Sequence, residues 1–276
     1  MALHVRHRAP PHLAPYVEMA VGYDYRMHPP GIHSGLPSQY LTIVVSLHDP
    51  VDMIAMPDPR QAPAALGALV GGLHAAPVSI RHDGTQIGIQ LGITPRGARM
   101  LFGMPPRELA WRVLPLDAVL GPATELVDRL NTLGSWPERF AAIDDVLSRV
   151  VRGVRPARAE VSYAFDRLVT SGGRLRVASL AREVGWSRRH LTDQFAKEFG
   201  LAPKLMARVL RFERATGMMR SPVRPPLALV AAESGYADQA HMTREWVEFA
   251  GSTPMSWLTD EDLPFVQDET AVGAAI

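Results

Sequence analysis

The spacing of apolar residues changes character about a third of the way along the chain. Up to that point they come in short β-type runs, "YVEMAVGYDY", "QYLTIVVSL", "VDMIAM" and "TQIGIQLGI". Clusters of Pro, Gly and Asp ("HDPVD", "PDPRQAP", "RHDGT") separate the runs and mark turns. Alternation is partial: Ile87, Ile89 and Leu91 fall on one strand face, with Gly88 and Gly92 among them. Many short strands joined by tight turns predict an antiparallel barrel or sandwich rather than a parallel α/β sheet. From about Pro95 the period becomes helical. "PRGARMLFG" predicts a short helix stopped by Gly103. "GPATELVDRLNTLG" and "SWPERFAAIDDVLSRVV" predict an amphipathic hairpin, with Leu126, Leu130, Leu133 and then Phe140, Ile143, Leu147, Val150 on its apolar stripes. Covering the open face of the strand layer is the expected role of that hairpin; a dimer seam is the alternative.

The polar, broken stretch "RGVRPAR" (152–158) reads as a linker between a 1–151 domain and a helical 159–260 domain, followed by a loosely ordered 261–276 tail. A helix marked by Val161, Phe165, Leu168 and Val169 opens the second part and stops at Ser171–Gly173. Charge follows the same division. Residues 152–224 hold 16 Lys and Arg against 6 Asp and Glu, whereas 1–151 hold 12 against 13 and 225–276 hold 1 against 9. The local excess of +10 inside a chain of net charge +1 fits a surface that attracts polyanions. A solvated face is the bland reading of the same charge.

The helical part contains one pattern twice. "LAREVGWSRRHLTDQF" and "VAAESGYADQAHMTREW" match with one extra residue in the second. Ala181 faces Ala231, Gly185 faces Gly235, Trp186 faces Tyr236, His190 faces His241, Thr192 faces Thr243 and Phe195 faces Trp246. Gly200 and Gly251, then Pro203 and Pro254, extend the register. A small Ala lets two helices approach, and the Gly accepts the positive φ of a sharp interhelical turn. Caps are expected near Ser187 and Ala237–Asp238. With Leu191 and Phe195, or Met242 and Trp246, turned inward, the outward set is Arg188, Arg189, Thr192 and Asp193 in the first copy. In the second it is Gln239, Ala240, Thr243 and Arg244. This is a helix-turn-helix signature whose second helix suits a DNA major groove. A ligand-free helical repeat is the alternative that the basic excess disfavours. Between the copies, "PKLMARVLRFERATGMM" predicts one long linker helix.

From "SLAREVGWSRRHLTDQFAKEFGLAPKLMARVLRFERA" and "LALVAAESGYADQAHMTREWVEFAGSTPMSWL", about Glu160 to Leu258, the chain strongly resembles the DNA-binding domain of the AraC/XylS family of transcription regulators. The first 150 residues resemble more loosely a subgroup's N-terminal domain, through "HLAPYVE", "GIQLGITPRGARMLFG" and "LPLD". The resemblance implies an α+β two-domain fold. An N-terminal cupin-like antiparallel β-barrel with its helical hairpin would sense a small molecule and mediate homodimerisation. An all-α C-terminal domain would bind double-stranded DNA with two helix-turn-helix units on a linker helix. RNA polymerase as a partner, and activation more often than repression, follow from the same likeness. By position the DNA-facing residues would be Ser187, Arg188, Arg189, His190, Thr192 and Asp193, then Gln239, Ala240, His241, Thr243 and Arg244. Asp193 stands where the family often has a basic residue; orienting Arg189 through an ion pair is its expected role, reading cytosine N4 the alternative. Arg244 suits guanine O6 and N7, against an ion pair with Glu248. Arg174, Arg208 and Arg211 are the expected phosphate contacts. Tyr23, Tyr40, Ile89 and Leu91 are weaker candidates for an effector pocket.

The remaining chemistry narrows the alternatives. There is no cysteine, which excludes disulfides, thiolate metal sites and cysteine nucleophiles, including a DNA-repair alkyl acceptor, and suits a cytoplasmic protein. No signal peptide is visible and no apolar run is long enough to span a membrane. Eight of the ten histidines precede residue 83, and they prompt a second hypothesis of an enzyme or metal-binding first domain with accessory DNA binding. None forms a close ligand pair, His4, His7 and His12 lie in an N-terminus expected to be loose, and no catalytic residue, cofactor or metal site is assigned. A scattered set such as His33, His48, His74 and His82 is the alternative. A third hypothesis is a constitutive binder whose first domain only dimerises; a solid core there, rather than a cavity, would favour it.

Overall fold

The computed structural model describes residues 2–26, 29–151 and 156–260. The tail assigned to 261–276 and most of the 152–158 linker lie outside them. The chain is a two-domain α+β protein. Its first part holds ten strands: β1 Ala2–His7, β2 Val17–Tyr25, β3 Gly31–Gly35, β4 Leu41–Ser46, β5 Val51–Ala55, β6 Ala64–Leu66, β7 Ala68–Gly71, β8 Val78–His82, β9 Gln86–Ile93 and β10 Val113–Pro115. They form two antiparallel sheets, a six-stranded one ordered β1-β2-β9-β4-β7-β10 and a four-stranded one ordered β3-β8-β5-β6. Strand parity divides the larger sheet. On β4, Leu41, Ile43 and Val45 point into the main core, while Thr42, Val44 and Ser46 face the smaller sheet.

The N-terminus expected to be loose is instead the edge strand β1, paired with β2 from Ala2↔Tyr25 to His7↔Ala20. Its histidines make contacts that sequence proximity could not suggest. His7 Nε2 lies 2.8 Å from Asp144, and His12 Nε2 lies 2.6 Å from Ser148. Both partners belong to α3.

Helices α1 Pro95–Phe102, α2 Ala123–Thr132 and α3 Trp136–Val150 cover the outer face of the six-stranded sheet. The Thr94 side chain caps α1 by accepting from the Gly97 N–H, and Gly103 closes it with φ +73°. A capping box between Ser135 and Glu138 opens α3. The hairpin approaches closely because β2 carries Gly22, where a Cβ would come within 2.4 Å of the Trp136 ring. Phe140, Ile143, Val146 and Leu147 share a core with Ile89, Leu91 and Ile93, so the covering role expected of the hairpin is the one observed.

Seven further helices follow: α4 Ala159–Thr170, α5 Val177–Glu183, α6 Arg188–Phe199, α7 Pro203–Met219, α8 Leu227–Glu233, α9 Gln239–Ala250 and α10 Pro254–Asp260. The linker helix α7 has the bounds that the sequence predicts. The apolar core runs without a break from the sheet through α1–α3 into this bundle. Polar ties cross the same boundary. Arg99 on α1 makes a two-pronged bond to Glu198 on α6 at 2.6 and 2.5 Å. Arg107, in the short 3₁₀ turn 106–108, donates to Lys197 O at 2.8 Å, and Gln39 donates to Glu213 on α7 at 3.1 Å.

Candidate nucleic-acid interface and sensor cavity

The two copies of the sequence pattern fold alike in detail. α5 and α8 are each seven residues long, and α6 and α9 are each twelve. Gly185 (φ +71°) and Gly235 (φ +82°) make the turns. After each turn the aromatic's N–H returns to the small residue of the preceding helix, Trp186 to Ala181 O at 2.8 Å and Tyr236 to Ala231 O at 2.9 Å. Ser187 accepts from the His190 N–H and Asp238 from the His241 N–H, which satisfies one free donor at each helix start. Leu191, Phe195, Met242 and Trp246 are fully buried. Gly200 and Gly251 end the helices in the left-handed conformation.

With the inner faces fixed, the outer faces follow. Ser187, Arg188, Arg189, His190 and Asp193 are exposed on α6 and its cap, with Thr192 half-buried. On α9, Gln239, Ala240 and Arg244 are exposed, and Thr243 is half-buried with its hydroxyl donating to Gln239 O. The ion pair expected between Asp193 and Arg189 does not form, nor does one between Arg244 and Glu248, because Glu248 is held by Arg208. Among the described residues, Arg188, Arg189 and Arg244 have no anionic partner within the chain.

His190 and His241 occupy matched places, each edge-on to its turn aromatic: Trp186 at 4.6 Å and Tyr236 at 5.3 Å between ring centres. The His241 ring is engaged at both nitrogens, Nδ1 accepting from the Ala237 N–H at 3.4 Å and Nε2 lying 3.3 Å from Glu245. Its imidazole braces the turn. Arg208 and Arg211 are also committed. Arg208 donates to Glu245 at 2.7 Å and to Glu248, and its guanidinium lies 4.9 Å from the Phe249 ring centre. Arg211 donates to Gly173 O at 3.2 Å and sits 3.5 Å from Glu245 and 5.5 Å from the Tyr236 ring centre. The Glu245 side chain is only 8% exposed, so its charge requires these partners. The network fastens α9 to α7, which runs against the phosphate role expected of the two arginines. Of that set Arg174 is exposed.

In the first domain a cavity of about 540 Å³ lies between the two sheets. This is within the size range of small-molecule sites. Tyr23 lines it. Ile89 and Leu91 instead point into the helix-covered core, and Tyr40 lies beside Glu18 and Glu213, away from the cavity wall. Parity explains the difference: Tyr23 pairs with Gly88, so it shares a face with Gly88 and Gln90 and not with Ile89. His33, His48, His74 and His82 all border the cavity without converging on one point. Among the described residues, the group with metal-ligand atoms within 4.8 Å of one another is His48, Asp49 and Asp83, all exposed at the mouth. Burial pushes His74 down to about 4, while its Nδ1 contact with Ala76 O at 2.7 Å acts the other way, so the ring is neutral near pH 7.

Two helix-turn-helix units on a shared linker helix, set behind a β domain with an internal cavity, define a class of two-part helix-turn-helix protein. The comparisons agree. A family model described as a helix-turn-helix domain matches residues 180–260. "Uncharacterized HTH-type transcriptional regulator YbfI" of Bacillus subtilis is 35% identical over 63 residues, a match spanning 23% of this chain and 22% of that protein. ToxT of Vibrio cholerae strain SCE256 shares the fold at a TM-score of 0.54 and 12% identity. Its unsaturated-fatty-acid-bound wild-type structure covers 92% of this chain and 97% of its own, and an apo variant covers 87% and 97%. Residues 180–260 therefore form a helix-turn-helix domain, and the two-domain fold as a whole is one that ToxT shares. No described helix is long and apolar enough to cross a membrane.

Proposed function

We propose that this protein is a sequence-specific DNA-binding transcription regulator. Residues 159–260 grip the duplex, residues 1–151 bind a small-molecule effector, and residues 152–158 join them. The reading rests on one observation above the rest: two matched helices present cations, Arg188 and Arg189 on one and Arg244 on the other, with no anionic partner among the described residues. Unpaired guanidinium groups beside a capped helix N-terminus suit phosphate and guanine edges. Arg188, Arg189, Thr192 and Asp193 face bases from α6, and Gln239, Ala240, Thr243 and Arg244 from α9. Ser187 contributes from the cap of α6 and His190 from its first turn, while Arg174 meets phosphate. A linker helix of 17 residues, about 25 Å long, holds the two readers at a set separation.

The cavity supports a sensing first domain over a purely dimerising one. Effector binding then alters DNA binding to the extent that the ligand prefers one arrangement of the two domains. Activation through contact with RNA polymerase, with the β domain pairing two copies, completes the scheme and rests on the resemblance to the AraC/XylS family. The test is a gel-shift titration on DNA upstream of the protein's own gene, against scrambled DNA of equal length. Preference for the upstream sequence, lost in Arg244→Ala, is expected. Equal affinity for both DNAs would overturn the reading.

A further inference from the structure

The chemistry of the cavity wall selects its ligand by charge. Tyr23 is 7% exposed, lines the cavity and has no hydrogen-bond partner among the described residues. Its hydroxyl lies over Gly88, where a Cβ would come within 2.6 Å of it. A hydroxyl that an otherwise buried side chain presents to a cavity is a place where a bound group can complete the bond. His74 adds an acceptor, since an Nδ1–H donated to Ala76 O leaves Nε2 with a free lone pair. The apolar side chains of Leu36, Met53, Leu69, Val78 and Val113 complete the buried wall.

Charge is confined to the mouth. Asp49, Asp52 and Asp83 border it together with a single formal cation, Arg81. That arginine is committed to Asp52 at 2.7 Å. Asp49 and Asp83 converge with His48 and have no arginine or lysine bonded to them among the described residues. The opening therefore carries excess negative charge over an apolar and aromatic interior.

We propose that the cavity takes a small organic cation, an amine on an apolar or aromatic body. The ammonium sits at Asp49 and Asp83, and a polar atom of the body completes the Tyr23 hydroxyl. This assignment rests on the effector-site reading above and adds the ligand class. It separates this protein from a carboxylate-binding one, because the mouth repels an anion and Arg81 is already neutralised by Asp52.

The test uses the full-length protein, ligand-observed NMR and a charge-balanced fragment set that includes tryptamine, tryptophol and indole-3-acetate. Amines should dominate the bound fragments, and within a scaffold the amine should bind about fivefold or more tighter than the alcohol, a margin worth ~1 kcal/mol. Asp49→Asn/Asp83→Asn should reduce each amine to the affinity of its alcohol while the alcohol is unchanged. Tyr23→Phe should weaken both alike. Bound fragments that are mainly carboxylates, held by His33, His48 or His82, would overturn the ligand class and leave the effector site standing. The same holds for an amine preference that survives the double substitution. If no fragment's binding is lost when Val44→Phe fills the cavity in a protein of normal melting temperature, the effector site itself fails.

Discussion

Replacing Arg99 with alanine would test how firmly the two domains are joined. Its guanidinium meets Glu198 with two bonds, and the two side chains are 20% and 11% exposed. Glu198 lies on the buried side of α6, so the variant leaves a carboxylate enclosed without a counter-ion. Removing one member of a buried pair costs about 3–5 kcal/mol, and the residual water access here brings the expectation to about 2–4 kcal/mol. For a chain of this size that corresponds to a loss of roughly 4–16 °C in melting temperature. The double variant Arg99→Met/Glu198→Leu should recover most of the loss, since apolar replacement of a buried pair is often neutral. Urea unfolding of the four species, followed by tryptophan fluorescence, gives the coupling directly. A single variant within about 0.5 kcal/mol of the parent would refute the reasoning. So would a double variant as unstable as the sum of its parts.

Other expectations follow from the same geometry. Burial pushes Glu213 up to about 7 despite its bonds to Gln39 and Ser38. A raised folded-state value means that this group's contribution is fully present below its ordinary value of 4.5 and is lost as pH rises through about 7. Glu213→Gln should therefore gain on the parent in urea midpoint between pH 5 and pH 8; a gap independent of pH would count against it. At the two turns, Gly185→Ala faces open space and should cost about 1 kcal/mol from its positive φ alone. Gly235→Ala also drives a Cβ to 2.7 Å from Arg174, so its melting temperature should fall further; equal losses would contradict the packing. Arg174→Ala should reduce the salt dependence of DNA binding by about one phosphate contact. Arg208→Ala should lower stability and leave that slope alone, and the reverse pattern would reassign the two arginines.

The helical half was legible because its signals are local. Turn glycines, caps and inward pairs at i, i+4 act within a few residues, and the bounds of α7 follow from Pro203 and its apolar stripe. The roles of Arg208 and Arg211 were hidden because their acceptor, Glu245, lies 37 and 34 residues away. An arginine on a helix reads the same in sequence whether it meets phosphate or a buried carboxylate. The surroundings of His241 were hidden for a related reason: its ring nitrogens meet the Ala237 N–H and Glu245, and the ring packs edge-on to Tyr236. In the β domain the short strands β1, β3, β6, β7, β8 and β10 draw their stability from neighbours and leave little mark in the pattern of their own residues. The choice of cavity residues mixed the two faces of one sheet, since a single step along a strand exchanges cavity for core. Tyr23 and Gln90 lie on one side of that step, Ile89 and Leu91 on the other.

The match between the two reading units breaks at several inner positions, and one of these breaks ties a unit to the β domain. Counting from the paired histidines, Glu198 stands where the other unit has Phe249, a ring packed 5.3 Å from Phe212. Two modules that otherwise share caps, turns and lengths are thereby made unequal. One is bolted by a charge to the neighbouring domain, and the other is seated by an aromatic on the common strut. A shift of the β domain would pull the first module directly, whereas the second would feel it chiefly through α7. Each half of an operator could thus loosen on its own schedule.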